Sequence, residues 1–181
     1  VENLLKDLFV SDNTWHIALL RYFNPIGAHS SGLIGDNPNS SPNNLAPFIS
    51  QVAIGKQKEL KIFGNDYDTH DGTGVRDYIH VEDIASSHVR ALTVVGKSSQ
   101  VLTLNLGTGV GYSVLDLVKA FEKVTNKKIP YKIHARRNGD VSSYIADPTL
   151  ANFKLGWKAK KNLEKMCLDS WNFELKNQLK K

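Results

Sequence analysis

Its 181 residues, 41% hydrophobic and 23% charged, suit one ordinary soluble globular domain, and no stretch approaches the roughly 18 apolar residues of a membrane helix. The lone cysteine, Cys167, excludes an internal disulfide and fits a cytosolic location. The net charge of +5 divides into −4 over residues 1–90 and +9 over residues 91–181; lysines spread among acids over 154–165 and the lack of an aromatic-studded basic stripe argue against nucleic acid, leaving a solvated face or a small phosphorylated ligand.

Val1, Leu4, Leu5 and Leu8 have the spacing of a helix face, and Ser11-Asp12-Asn13 reads as a turn. The opening is neither a signal peptide nor an initiator Met, which suggests a piece of a longer protein. Ile17–Leu20 is a short apolar run, expected as a buried parallel strand, and it ends at Tyr22-Phe23-Asn24-Pro25, where an open α/β sheet binds ligands. Residues 26–44, rich in Gly, Ser, Asn and Pro, form a long loop of the functional or disordered kind. Asn43 or Asn44 is expected to cap a helix carrying Leu45, Phe48, Ile49 and Val52, followed by a short strand at Leu60–Phe63 and a second loop over Gly64–Gly74. After His80, the residues Val81, Ile84, Ala85, His88, Val89 and Leu92 make one apolar stripe, with His88 expected in the core. Val101–Leu106 reads as a strand, Ser113-x-x-Asp116 as a capping box opening a helix with Leu117, Val118 and Phe121, and Tyr131–His134 as an edge strand. Asp147 is expected to cap a helix with Pro148 in its first position and Gly156 at its end. Asn162 caps a last helix whose apolar face runs through Leu163, Cys167, Trp171 and Leu175, making Cys167 a buried thiol. No internal repeat and no linker divides the chain.

Gly107-x-Gly109-x-Gly111 lies between a strand and a helix, but Tyr112 stands where a dinucleotide loop needs its last glycine, so it reads as a structural turn. Arg76 and the pair Arg136-Arg137 are the arginines near loops. Their forked donors suit a diphosphate, which lysine cannot match, while the bland alternative pairs Arg76 with Asp77 or Asp83. The six histidines show no metal-ligand spacing, Asp66, Asp68 and Asp71 show no calcium-loop register, and no metal is expected.

Several blocks occur in one order: Leu20-Arg21-Tyr22-Phe23-Asn24-Pro25-Ile26-Gly27-Ala28-His29, Pro42-Asn43-Asn44-Leu45, and Ile62-Phe63-Gly64-Asn65-Asp66-Tyr67. They continue with Asp71-Gly72-Thr73-Gly74-Val75-Arg76-Asp77-Tyr78-Ile79-His80-Val81, Asn105-Leu106-Gly107-Thr108-Gly109, Arg136-Arg137-x-Gly139-Asp140 and Ala146-Asp147. Together they resemble the UDP-glucose 4-epimerases of the extended short-chain dehydrogenase/reductase family, across nearly the whole chain. The resemblance implies an α/β fold. The chain would be the C-terminal part of an NAD(P)-binding Rossmann-type protein, holding its last parallel strands and a small mixed α/β substrate-binding domain over residues 1–181.

By this resemblance, Phe23 and Asn24 contact the sugar nucleotide, and Tyr22 and Pro25 pack near the nicotinamide of the cofactor NAD. Asn44 and Leu45 hold the diphosphate and uridine side, Lys61, Ile62 and Phe63 read uracil through backbone groups, Arg76 and Arg137 grip the diphosphate, and Asp140 bonds the ribose. Tyr144 limits the room around the sugar, which suggests glucose and galactose over N-acetylated sugars. The implied reaction interconverts UDP-glucose and UDP-galactose: hydride leaves sugar C4 for NAD, the 4-keto sugar rotates, and hydride returns to its other face. The Gly-rich NAD loop and the catalytic Tyr-x-x-x-Lys are absent from these residues, so no catalytic residue is assigned here. A homodimer in the cytoplasm, without nucleic acid or membrane, is the implied setting. The alternatives are a non-catalytic UDP-sugar-binding or interaction piece, or a related sugar-nucleotide dehydratase or decarboxylase.

Overall fold

A computed structural model describes residues 1–37, 42 and 44–179. In chain order the elements are α1 (Glu2–Ser11), β1 (His16–Tyr22), β2 (Asn24–Ile26), α2 (Leu45–Ala53), β3 (Leu60–Phe63), β4 (Val75–His80) and α3 (Val81–Val95). There follow β5 (Gln100–Leu106), β6 (Gly111–Ser113), α4 (Val114–Thr125), β7 (Tyr131–His134), β8 (Ser143–Tyr144), α5 (Thr149–Leu155) and α6 (Leu163–Gln178).

Three small sheets result. β1 pairs with β5 in parallel from His16↔Gln100 to Tyr22↔Leu106. β3 pairs with β7 in parallel, as the expected edge strand. β4 joins the third sheet together, with β2 and β8 parallel to it and β6 antiparallel.

β4 also divides two cores. Successive strand residues point to opposite faces, and accordingly Tyr78 packs with α2, β3, α4 and α6, while Ile79 packs with β5, α3 and α5. Phe121, Ile49 and Cys167 are fully buried in the first core, and Leu104, Leu106 and Ala151 are nearly or fully so in the second. Each buried Ile, Leu or Phe contributes about 1.5–3 kcal/mol.

Helix starts largely follow the sequence. Ser113 Oγ accepts from Asp116 N at 2.9 Å and Asp116 Oδ2 accepts from Ser113 N at 3.0 Å, completing the expected capping box of α4. Asn162 Oδ1 accepts from Lys165 N at 2.9 Å, and Gly156 ends α5 with φ 54°. The start of α5 is displaced by one position: Pro148 is the cap residue, and Asp147 Oδ1 accepts from Thr149 N. Asn44 occupies the cap of α2 without a side-chain bond to it, and Asn43 lies outside the described residues.

Three expectations are corrected. Arg76 stands in the unforeseen strand β4, not on a loop approach. The inner face of α3 is Asp83, Ile84, Ser87, Ala91 and Val95, while Ala85, His88, Val89 and Leu92 are exposed. The polar inner residues are satisfied: Asp83 Oδ2 accepts from the Lys160 and Lys161 amides, and Ser87 donates to the Ile84 carbonyl. Leu175 is half-exposed, because α6 turns Phe173 and Glu174 inward instead.

Candidate functional site

The carboxyl end of β1 runs through Phe23 into β2, and a cleft of about 1070 Å³ opens there. Asn24 and Pro25 of β2 form one wall, Asn44 and Leu45 at the start of α2 another, and Lys61, Ile62 and Phe63 of β3 a third. Arg76 enters from β4, Arg137 and Asp140 from the loop after β7, and Ser170, Phe173 and Glu174 from α6. Ten of the residues singled out by sequence thus meet in one cavity.

The other three lie beside it. Phe23 and Tyr144 stack with ring centroids 4.6 Å apart, and Tyr22 is half-exposed with its ring 6.3 Å from that of His88.

Arg76 Nη1 donates to the Val75 carbonyl at 2.8 Å and to the Val141 carbonyl at 3.0 Å. It forms no ion pair among the described residues, because both candidate carboxylates are occupied. Asp77 is fully buried and accepts from Thr108 N, Thr108 Oγ1, Gly109 N and Ala146 N. Asp83 holds the amides of Lys160 and Lys161. The Arg76 charge is therefore balanced by no carboxylate among the described residues. Arg137 is partly balanced, with Nε 2.9 Å from Asp140 Oδ2, and its guanidinium lies over the Phe63 ring at 4.9 Å. Arg136 is spent on Asp66 and on the Tyr67 ring.

Gly107-x-Gly109-x-Gly111 is the structural turn expected. A Cβ on Gly107 would meet Ala146 Cβ at 2.4 Å and Asp77 Oδ2 at 2.5 Å, so the backbone packs there where a side chain cannot.

His80 supports the cleft floor from below and organises the start of α3. Its Nδ1 accepts from Glu82 N at 3.0 Å, which leaves the proton on Nε2, donated to Asp169 Oδ2 at 3.1 Å. Asp169 Oδ1 also takes Lys165 Nζ at 2.8 Å, and Gly27 rests against the imidazole, where a Cβ would come within 2.7 Å. Burial pushes the His80 pKa down, against the opposing pull of Asp169. His80, Glu82 and Asp169, and likewise His70, Asp71 and Asp116, come close enough to hold an ion. In each group one member already serves a helix start, His80 Nδ1 accepting from Glu82 N and Asp116 Oδ2 from Ser113 N.

Sequence reasoning missed Tyr78 and Val114, which line the cleft from β4 and α4, and the buried hydroxyls of Ser50 and Tyr67. Tyr78 sits in the quoted Arg-Asp-Tyr block, so its alternation with Asp77 along a strand was a usable signal. Burial raises the Tyr78 phenol pKa far above its ordinary value, so it stays neutral and can donate.

A family model described as GDP-mannose 4,6 dehydratase matches residues 5–170. The UDP-glucose 4-epimerase of Bacillus subtilis (strain 168) is 57% identical over 98% of this chain and 52% of its own length. That of Homo sapiens is 54% identical over 98% of this chain and 51% of its own. A crystal structure of UDP-glucose-4-epimerase from Stenotrophomonas maltophila, with bound NAD and formylated UDP-arabinopyranose, superposes with a TM-score of 0.97 at 51% identity, covering 99% of this chain and 54% of that one. The Bifidobacterium longum UDP-glucose 4-epimerase, in complex with NAD+ and UDP, gives 0.94 at 49% identity, covering 98% and 52%. The chain spans about half the length of the curated relatives it matches.

Proposed function

Because the chain belongs to the GDP-mannose 4,6 dehydratase family, we propose that it supplies the UDP-sugar site of an NAD-dependent UDP-glucose 4-epimerase. Its fold is the Rossmann-type α/β fold of extended short-chain dehydrogenase/reductases, as the sequence leads one to expect. The observation that carries the proposal is a cleft that holds Arg137 together with an Arg76 guanidinium free of any carboxylate among the described residues. Two forked cations suit the two charges of a nucleoside diphosphate.

In this reading Arg76 and Arg137 hold the diphosphate, Asp140 the ribose, and the β3 backbone at Lys61, Ile62 and Phe63 the uracil. Asn44 and Leu45 close the nucleotide end. Phe23 and Asn24 face the sugar, and Tyr144, stacked on Phe23, limits its size and favours UDP-glucose and UDP-galactose over N-acetylated sugars. Tyr22 and Pro25 fit a nicotinamide ring: both are exposed, at the carboxyl end of β1 and just beyond it, where open α/β sheets receive such ligands. NAD, when bound, supplies the acceptor and donor of the C4 hydride. The chain's own residues orient the sugar nucleotide so that either face of C4 can be presented.

The proposal treats residues 1–181 as one substrate-binding portion of a longer homodimeric enzyme of galactose metabolism in the cytoplasm. No helix among the described residues is long and apolar enough to cross a membrane. The test has two parts in the full-length protein: calorimetric titration with UDP, and conversion of UDP-galactose to UDP-glucose. A protein that binds no UDP, or that dehydrates the sugar instead of inverting C4, defeats the reading.

A further inference from the structure

We propose that the buried hydroxyl of Tyr67 is a ligand-binding group of the cleft, bonding the nucleotide directly or through one held water. The inference rests on the UDP-sugar reading above and adds to it a residue not otherwise assigned.

Tyr67 is only 6% exposed, lines the cleft, and its hydroxyl has no hydrogen-bond partner among the described residues. A phenol O–H is both a donor and an acceptor, and leaving one buried and unpaired destabilises a fold. Such a group persists where something else uses it. The ring has little freedom to escape. A Cβ on Gly64 would lie 2.5 Å from the Tyr67 ring, so a backbone stripped of its side chain presses on one side. The Arg136 guanidinium covers the ring at 4.1 Å and is itself fixed by Asp66 Oδ1 at 2.7 Å. Tyr67 N donates to the Gly72 carbonyl at 2.9 Å, which ties the residue to the loop leading into Arg76.

The neighbours identify the end of the cleft. Tyr67 follows β3 and lies under Arg136, and the end of the same strand bears Phe63 under Arg137. That end is cationic and would hold the nucleotide rather than the sugar. Two of the other unpaired buried polar atoms, on His134 and Asn152, do not line the cleft, so they carry no such argument.

Tyr67→Phe in the full-length protein is a clean probe, because it keeps the ring under Arg136 and removes only the hydroxyl. UDP binding, measured by calorimetry, should weaken about 3–10-fold. With UDP-glucose as substrate, the loss should fall on KM rather than kcat. The ligand-free Tm should stay the same or rise, because an unpaired buried group has gone. A UDP affinity within about twofold of wild type overturns the proposal, given the expected size of one hydrogen bond. A ligand-free Tm that falls along with affinity assigns the hydroxyl to the fold and overturns it equally. Wild-type protein that fails to bind UDP removes the underlying reading and this inference together, an outcome distinct from the other two.

Discussion

Arg76 and Tyr144 are register partners across β4 and β8, so a cleft cation with no carboxylate partner among the described residues and the aromatic ring stacked on Phe23 hang on one strand pair. The segment bearing Tyr144 is pinned to β4 at three further points. Arg76 Nη1 donates to the Val141 carbonyl, Val75 N to the Ser142 carbonyl at 2.8 Å, and Ala146 N to Asp77 Oδ2 at 3.3 Å. The proposed charge recognition and the shape of the proposed sugar end are thereby mechanically linked.

Arg76→Ala in the full-length protein should weaken UDP binding by about 2–4 kcal/mol, the scale of losing a charge-assisted partner of a buried anion. Arg76→Lys should recover only part, because an ammonium keeps the charge but loses the fork. Calorimetry with UDP checks both, and wild-type affinity in the alanine variant would mean that Arg76 serves only the Val75 and Val141 carbonyls.

Asp77→Asn should destabilise the protein by about 1–3 kcal/mol. An asparagine keeps one acceptor oxygen and turns an amide donor toward N–H groups of Gly109 and Ala146 or of Thr108. Urea unfolding measures the change, and an unaltered midpoint at an unaltered slope would show that these bonds are replaced without cost.

Stability should fall on mild acidification, through His80. Its folded pKa lies below the ordinary value near 6.5, so the unfolded chain binds more protons in the interval between the two. Stability therefore rises with pH across that interval and is lost as pH drops from about 6.5 toward the folded value. Protonation of Nδ1 also removes the acceptor for Glu82 N at the start of α3. The charges facing the ring are Asp169 and Glu82, with Lys161 and Lys165 behind them. Denaturation curves between pH 5 and 7 should lose this slope in His80→Gln, apart from the carboxylates, which titrate lower; an identical slope in the variant refutes the assignment.

Cys167 should resist alkylation in the native protein. Its thiol is fully buried and burial raises its pKa to about 12, so almost no thiolate is present at neutral pH. Mass spectrometry after iodoacetamide treatment, with and without urea, checks this; rapid native labelling would contradict the packing of α6 against α4.

The 181-residue chain by itself should show no epimerase activity with NAD and UDP-galactose supplied. It contains no Tyr-x-x-x-Lys pair to act as base and to place the cofactor. Formation of UDP-glucose above a protein-free blank, in a coupled assay of clean material, would refute this.

Helix starts with their own polar chemistry were legible in the sequence: Ser113 with Asp116, Asn162, and Gly156 at the end of α5. So was the leucine alternation of β5, where Leu102, Leu104 and Leu106 share a face. β4 was not, because Asp77, Tyr78, Ile79 and His80 are all buried, two polar residues among them, and period-two contrast vanishes when both faces are covered. The α3 face was misjudged for a related reason. Asp83 and Ser87 go inside because backbone groups satisfy them, and Val89 and Leu92 remain outside. Ten of the residues singled out by sequence line one cleft, whereas the buried hydroxyl of Tyr67 showed itself only as an unpaired atom in three dimensions.

α6 has a bearing on the timing of assembly. It brings Phe173 and Glu174 to the cleft, Trp171 to the core and Asp169 to His80, and it is the last of the described elements in the chain. Synthesis runs from the N-terminus, so every other cleft wall leaves the ribosome while this one is still in the exit tunnel. A ligand of the proposed kind meets the complete cleft only once that helix has docked, and until then the growing chain folds around an open-sided cavity.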